Sequence, residues 1–261
     1  MLYSLLSPAK RQCSQLMPPT ALRSEPFFKA QITELISYLK EYSVESLAEL
    51  MQISPALAEL NYKRFQSFNM RDVESSQCHP ALYLFQGDVY QGLAAQTWNA
   101  DECEYAQMCL GILSGLYGWL KPMDLIQPYR LEMKTRLVTR QGQDLYQYWG
   151  QRVTQAIDEH LKCNGFKACV NLASIEYARV IQFEALSVPV VHVVFKEPGP
   201  KGLRVVALRA KKARGMMAAY CVRNQIQSRE ALQTFSESGY VYAPHESDES
   251  TDVFIRAVEA A

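Results

Sequence analysis

The sequence lacks an excess of charge of either sign: 27 Lys and Arg stand against 27 Asp and Glu in 261 residues. That excludes a nucleic-acid binder working through net charge, so any such role must rest on local segregation of charge. No segment approaches the roughly 20 apolar residues of a membrane-spanning helix, and no membrane partner is expected. The N-terminus, Met1-Leu2-Tyr3-Ser4-Leu5-Leu6-Ser7-Pro8, has no basic region and too short an apolar run for export. There is no Asn-x-Ser/Thr acceptor and no Cys-x-x-Cys. The seven cysteines are odd in number and scattered, which predicts reduced thiols in a cytoplasm.

Enzyme motifs are also missing. Neither a Gly-x-x-x-x-Gly-Lys-Ser/Thr loop nor Gly-x-Gly-x-x-Gly occurs, so no nucleotide cofactor, and indeed no cofactor, is expected. Gly111-Ile112-Leu113-Ser114-Gly115 misses the nucleophile-elbow spacing by one position. His79, His160, His192 and His245 are far apart in sequence, and the Cys78-His79 pair would need distant partners to hold a metal, so no metal site is assigned. His192, inside an apolar run, reads as a core histidine with a backbone partner.

What remains is a chain with 48% hydrophobic and 21% charged residues, enough for a sizeable core. Strands and helices alternate, which predicts a mixed α/β fold with a central mixed sheet flanked by helices. Without a convincing linker, residues 1–261 read as one domain. Strands are expected at Leu2–Leu6, Ala81–Phe85, Ala168–Leu172, Val190–Phe195 and Leu203–Leu208, the last two forming a hairpin around Pro198-Gly199-Pro200-Lys201-Gly202. Helices are expected within 25–68 and at Asp101–Trp119, Tyr146–His160 and Met216–Ile226. Residues 120–150 read as irregular, and His245–Asp252 as a solvated acidic loop.

The sharpest local feature is 201–214, which carries Lys201, Arg204, Arg209, Lys211, Lys212 and Arg214 and no acid. Read as a strand-to-helix junction opened by Gly215, it joins cations to free backbone N–H groups, a combination suited to phosphate. Two further strand ends, Ser7-Pro8-Ala9-Lys10 and Asn171-Leu172-Ala173-Ser174, repeat the design, with Ser174 placed to cap a helix. Ligands of open α/β sheets bind beyond the carboxyl ends of strands. Lys10, Arg130, Asn171, Ser174, Lys211, Lys212 and Arg214 are therefore the candidate anion-binding set. A solvated basic loop is the alternative for 201–214, a plain cap for Ser174, a simple turn for Asp88 and a protein carboxylate for Arg130. Residues 44–68 have the outline of a helix-hairpin-helix, with helices at 44–51 and from Tyr62 and a break between. An ordinary helical hairpin is the competing reading, because Glu59 lies where a DNA-binding hairpin would be rich in glycine.

Eight motifs in order carry a resemblance: Leu6–Lys10; Gly87–Tyr90 with Gly92-Leu93; Leu113–Gly118; Pro128–Met133; Leu145–Gly150; Asn171–Ser174 with Glu176-Tyr177; Ala210–Gly215; and Gly239-Tyr240. Together they resemble the YaaA family of bacterial peroxide-stress proteins over essentially the whole length. The resemblance implies a cytoplasmic protein made under hydrogen peroxide stress, linked to lower free iron and less oxidative damage. It also implies sequence-nonspecific double-stranded DNA binding, a single-domain α/β fold, a cationic cleft and a helix-hairpin-helix element. Glu59 departs from that element.

Two readings stay open. In the first, a non-enzymatic protein neutralises DNA phosphates with its cations. In the second, an enzyme acts on a small anionic or phosphorylated substrate in the same cleft, using Asp88, Glu132, Glu176 and Tyr177 as acid/base candidates. Direct iron sequestration is disfavoured because histidines and thiols are not clustered.

Overall fold

Three buried runs too short for helices organise the molecule. Leu2–Leu6 (β1), Leu110–Ser114 (β2) and Ala168–Asn171 (β4) are buried at every position, as strands covered on both faces must be. The computed structural model describes residues 1–14, 16–70 and 77–257. Around these three strands it builds an eight-stranded sheet with Gly118–Leu120 (β3), Val190–Gly199 (β5), Gly202–Arg204 (β6), Tyr240–Tyr242 (β7) and Thr251–Arg256 (β8). The order is β7-β8-β5-β4-β1-β2-β3, with β6 paired to β5. The five inner strands are parallel; β3, β6 and β7 are antiparallel to their neighbours.

Ten α-helices form among the described residues, half of them opening on a side-chain cap. They are Lys29–Lys40 (α1), Val44–Met51 (α2), Pro55–Ser67 (α3), Ala81–Leu84 (α4), Asp88–Leu93 (α5), Ala100–Cys109 (α6), Leu145–Cys163 (α7), Ile175–Ala178 (α8), Ala207–Arg223 (α9) and Arg229–Gln233 (α10). Asn99 and Glu102 form a reciprocal capping box on α6, and Ser54 followed by Pro55 opens α3. The fold class is the expected one, and the β5–β6 hairpin forms around 199–202.

Several boundaries differ from the sequence expectation. Ala81–Leu84 is a helical turn, in which Ala81 and Leu82 give their N–H groups to the carbonyls of Asp124 and Pro122, and the chain becomes extended only at Phe85–Gln86, paired with Arg11–Gln12. The expected helix over Asp101–Trp119 stops at Cys109, where β2 begins; a strand buried on both faces has no period to separate it from helix. Within 44–68 the break is only Gln52-Ile53-Ser54. Gln52 takes a left-handed conformation, and Glu59 lies on the outer face of α3 paired with Lys63 at 2.8 Å. Leu47, Ala58 and Phe65 are buried between the helices and the core, so this is a packed helical hairpin without a glycine-rich approach to phosphate. The supposed acidic loop ends in β8, where Asp252 is fully buried against Arg229, with Nη2–Oδ1 at 2.8 Å.

One buried carboxylate ties the loops below the sheet. Asp124 accepts from Ser24 Oγ at 2.6 Å and from Lys121 N at 2.8 Å. Burial lifts its pKa from 3.8 to about 6, against the lowering effect of those two hydrogen bonds. The folded value lies above the unfolded one, so its cost of roughly 3 kcal/mol is present above pH 6 and relieved between pH 6 and 4. The stability difference, wild type minus Asp124→Asn, is therefore expected to rise as pH falls from 7 to 4 in denaturant titrations. His79, His160 and His192, whose values burial lowers, act with the opposite sign but equally in both proteins. A difference independent of pH would remove this account.

Candidate functional site

The parallel strands β4, β1 and β2 end side by side, and the segments that leave them meet. Ser7, just beyond β1, donates from Oγ to Ser174 Oγ at 3.2 Å and accepts from Ser174 N at 2.8 Å. Ser174 stands at the N-cap of α8, but its hydroxyl makes no capping bond; it is turned to Ser7 instead. Asn171, at the end of β4, accepts from Ala173 N with Oδ1 and meets His192 Nδ1 with Nδ2 at 3.0 Å. His192 thus has a side-chain partner where a backbone partner was expected.

Beyond β2 the chain turns at Gly115, and close packing holds the next segment in place. A Cβ on Gly115 would stand 2.2 Å from the Leu131 carbonyl oxygen, so residues 130–133 lie directly on this glycine. Trp149 Nε1 donates to Gly115 O at 2.9 Å, and Ser114 Oγ bonds the Tyr129 hydroxyl at 2.6 Å. Leu131 and Met133 are buried, while Thr135 N closes a turn on Glu132 O at 3.0 Å that brings Lys134 round beside Arg130 and Glu132.

Glu132 is the centre of the resulting cluster. Its Oε1 lies 2.9 Å from Lys10 Nζ and 3.1 Å from Arg130 Nη2, and its Oε2 lies 3.6 Å from Lys134 Nζ. Burial pushes the carboxyl upward, but the Lys10 hydrogen bond and the charges of Lys10, Arg130 and Lys134 hold it below its ordinary range. Tyr177 borders the same small cleft, with Lys10, Arg130 and Glu132. Burial, then Tyr129, Glu176 and Glu132, push its phenol well above its usual pKa. Glu176 Oε1 accepts from Lys134 N at 3.4 Å. Three cations therefore share one ionised carboxylate, and the Nε of Arg130 is buried without a hydrogen-bond partner among the described residues.

Lys211, Lys212 and Arg214 are placed differently from the sequence expectation. The strand β6 stops at Arg204 and α9 starts at Ala207, since Ala, Leu, Arg and Lys from 207 onward favour helix. The run Ala210–Gly215 is thus helix interior, and its N–H groups are committed to helical bonds. The proposed amide contribution at this run is overturned; the cations remain. Lys211 and Lys212 are exposed, Arg214 is half-buried with its Nε unpartnered, and none of the three makes an ion pair among the described residues.

Gly215 has another task. A Cβ there would lie 1.8 Å from Val89 O, and one on Gly92 would lie 2.0 Å from Lys212 O, so α5 and α9 touch backbone to backbone. The start of α5 also adjoins the Lys10 loop: the Gly87 Cβ position is 3.5 Å from Ala9 Cβ, and the Tyr90 hydroxyl donates to Ser7 O at 3.1 Å. The site residues so divide into two groups on either side of α5. Lys10, Arg130, Glu132 and Tyr177 are brought together, with Glu176, Ser174 and Asn171 alongside. Lys211, Lys212 and Arg214 lie on α9, and Asp88, half-buried at the first position of α5, makes no side-chain bond among the described residues. Lys134 was missed, although the alternation Arg130, Glu132, Lys134 was a visible signal.

The family model described as peroxide stress protein YaaA matches residues 1–246. The chain belongs to the YaaA family. Relatives named UPF0246 proteins match this chain over nearly its whole length. One from Legionella pneumophila (strain Corby) is 44% identical over 98% of this chain and 99% of its own. Others from Magnetococcus marinus and Aliivibrio fischeri are 41% and 40% identical, covering 98% and 97% of this chain and 99% and 97% of their own. In YaaA-family terms, the motifs in 113–118, 128–133 and 145–150 are the packing that holds Arg130 and Glu132 beside Lys10, and those in 87–93 and 210–215 are the α5–α9 contact. No helix is long and apolar enough to cross a membrane among the described residues.

Proposed function

We propose that this protein acts in the cytoplasmic response to hydrogen peroxide by binding double-stranded DNA through its phosphates, without reading sequence, and so limits iron-dependent oxidative damage. The supporting observation is the surplus of cations. Lys10, Arg130 and Lys134 share one carboxylate, while Lys211, Lys212 and Arg214 share none among the described residues. The helical hairpin at 44–67 is not needed for this reading.

The test is duplex binding as a function of salt. If about six cations meet phosphates, log K should fall against log salt with a slope of roughly −5, equally for unrelated duplex sequences. A flat salt dependence, or affinity confined to one sequence, would count against phosphate binding. Glu132 and Tyr177, which line the same small cleft, favour a second reading, an enzyme acting on a small anion. Acid/base work near neutral pH suits groups that titrate there, whereas Glu132 is held low and Tyr177 high. Glu132→Gln separates the two. In a DNA binder it frees three cations and should raise duplex affinity several-fold in fluorescence anisotropy. In an enzyme it should abolish turnover and leave duplex affinity unchanged.

A further inference from the structure

The β5–β6 hairpin leaves the sheet at the same carboxyl edge as the cleft. Only β4 lies between β5 and β1, about 10 Å across the sheet, and by register Glu197 stands about 10 Å further along than Ser7, so the hairpin's base is roughly 14 Å from that strand end. That base is fixed. Glu197, the last acid before the turn, is buried; it accepts from the Tyr240 hydroxyl at 2.8 Å and pairs with Arg209, with Arg256 Nη1 at 4.0 Å. Beyond it the chain is mostly uncovered. From Pro198 to Lys212 all residues are exposed except Gly199, Val206 and Ala210.

The composition of this stretch is selective. It carries Lys201, Arg204, Arg209, Lys211 and Lys212 with no acid, so it complements a polyanion. It has no Asn, Gln, Ser or Thr, the residues that with arginine read base edges in the major groove. It does expose aliphatic groups: Leu203 is 38%, Val205 52% and Leu208 63% exposed, with Pro198 exposed opposite Leu203 and Pro200 exposed in the turn. The Arg204 stem lies across Gly199, where a Cβ would stand 2.8 Å from Arg204 Cδ, so the guanidinium is carried at the tip of the ribbon. A two-stranded ribbon is wider than an undistorted minor groove of roughly 6 Å and enters it only where a kink toward the major groove opens it; this ribbon narrows to the turn Pro200-Lys201 between Gly199 and Gly202. A lipid surface would be met by a segregated apolar face with aromatic anchors; here cations and aliphatics alternate, and no aromatic residue occurs between Pro198 and Lys212.

We propose that the β5–β6 hairpin is an arm that enters the minor groove of a duplex held at the cleft, with Arg204 in the groove and the Pro200 turn wedged against the base stack so that the DNA bends. This rests on the phosphate-binding reading above. Apolar wedges of this kind partly unstack a base step and kink the duplex toward the major groove.

The experiment uses the full chain and a 30-base-pair duplex of mixed sequence with a fluorescence donor and acceptor at its ends. Energy transfer should rise on binding of wild type. Lys201→Glu with Arg204→Glu should lose most of that rise and about tenfold in affinity. Pro200→Ala should lose at least half of the rise while affinity changes less than about threefold. These positions are exposed, so unchanged melting curves will verify the fold. If both arm variants bend and bind DNA as wild type does, while Lys211→Glu with Lys212→Glu no longer binds, the arm is wrong and the phosphate reading stands. If wild type binds no duplex at low salt, both fall. If the arm variants lose binding only to vesicles of phosphatidylglycerol and phosphatidylcholine, the hairpin is a lipid contact and the proposal is overturned.

Discussion

Gly215→Ala should cost at least about 3 kcal/mol and lower the melting temperature by roughly 10 °C. The added Cβ would stand 1.8 Å from Val89 O and 2.7 Å from Leu93 N, both backbone atoms that cannot swing aside. Relief requires α5 to move off α9. The Tyr90 hydroxyl, which donates to Ser7 O, would move with it and disturb the strand end beside Lys10. Gly92→Ala meets Lys212 O at 2.0 Å across the same contact, so the two changes should not add independently. Gly165→Ala is the comparison: its φ is +64° but nothing lies within 4 Å, and the backbone cost is only about 1–2 kcal/mol. Calorimetry on the three variants is decisive. A Gly215→Ala protein melting within two degrees of wild type would mean that the helices are not in backbone contact.

Lys211→Glu with Lys212→Glu should reduce duplex affinity by roughly 100-fold or more near 0.1 M salt and flatten the salt slope by about two. Both side chains are exposed and without ion pairs among the described residues, so folding should change by no more than about half a kcal/mol for each. Lys167→Glu is the control. Lys167 is exposed just ahead of β4, at the opposite edge of the sheet from the cleft, and its change should leave binding intact. Equal losses for the two variants would point to general charge and not to this edge of the sheet. Undiminished binding by the double variant would remove α9 from the interface.

The sequence revealed the sheet's inner strands where apolar runs were bounded by turn residues, as at Leu2–Leu6 and Ala168–Leu172. It concealed β2, because a strand covered on both faces shows no alternation and the preceding helix runs straight into it. It misplaced the start of α9 because Val205 and Val206 favour strand while the helix formers begin one residue later. Gly215 misled for a related reason. A glycine before an apolar helical run reads locally as an opening, whereas here it lies mid-helix at a contact with α5, a fact that only tertiary packing supplies. In the cleft, Lys10, Arg130 and Glu132 could be named in advance, but not their sharing of one carboxylate. That sharing depends on Gly115 bringing the 130–133 backbone to the end of β2, more than a hundred residues from Lys10.

The position of β1 has a consequence for biosynthesis. Its two neighbours in the sheet are β2, where Ser4 meets Leu110, and β4, where Leu2 meets Ala168. At about 5–20 residues per second, the ribosome needs roughly 5–20 s after making β1 to deliver the first of them. Through that interval Leu2-Tyr3-Ser4-Leu5-Leu6 is an apolar strand with both edges open, so the nascent chain carries its own aggregation hazard until the sheet's centre can close. A trigger-type holding chaperone that shields the early chain should therefore raise the yield of this protein more than any change to its cleft.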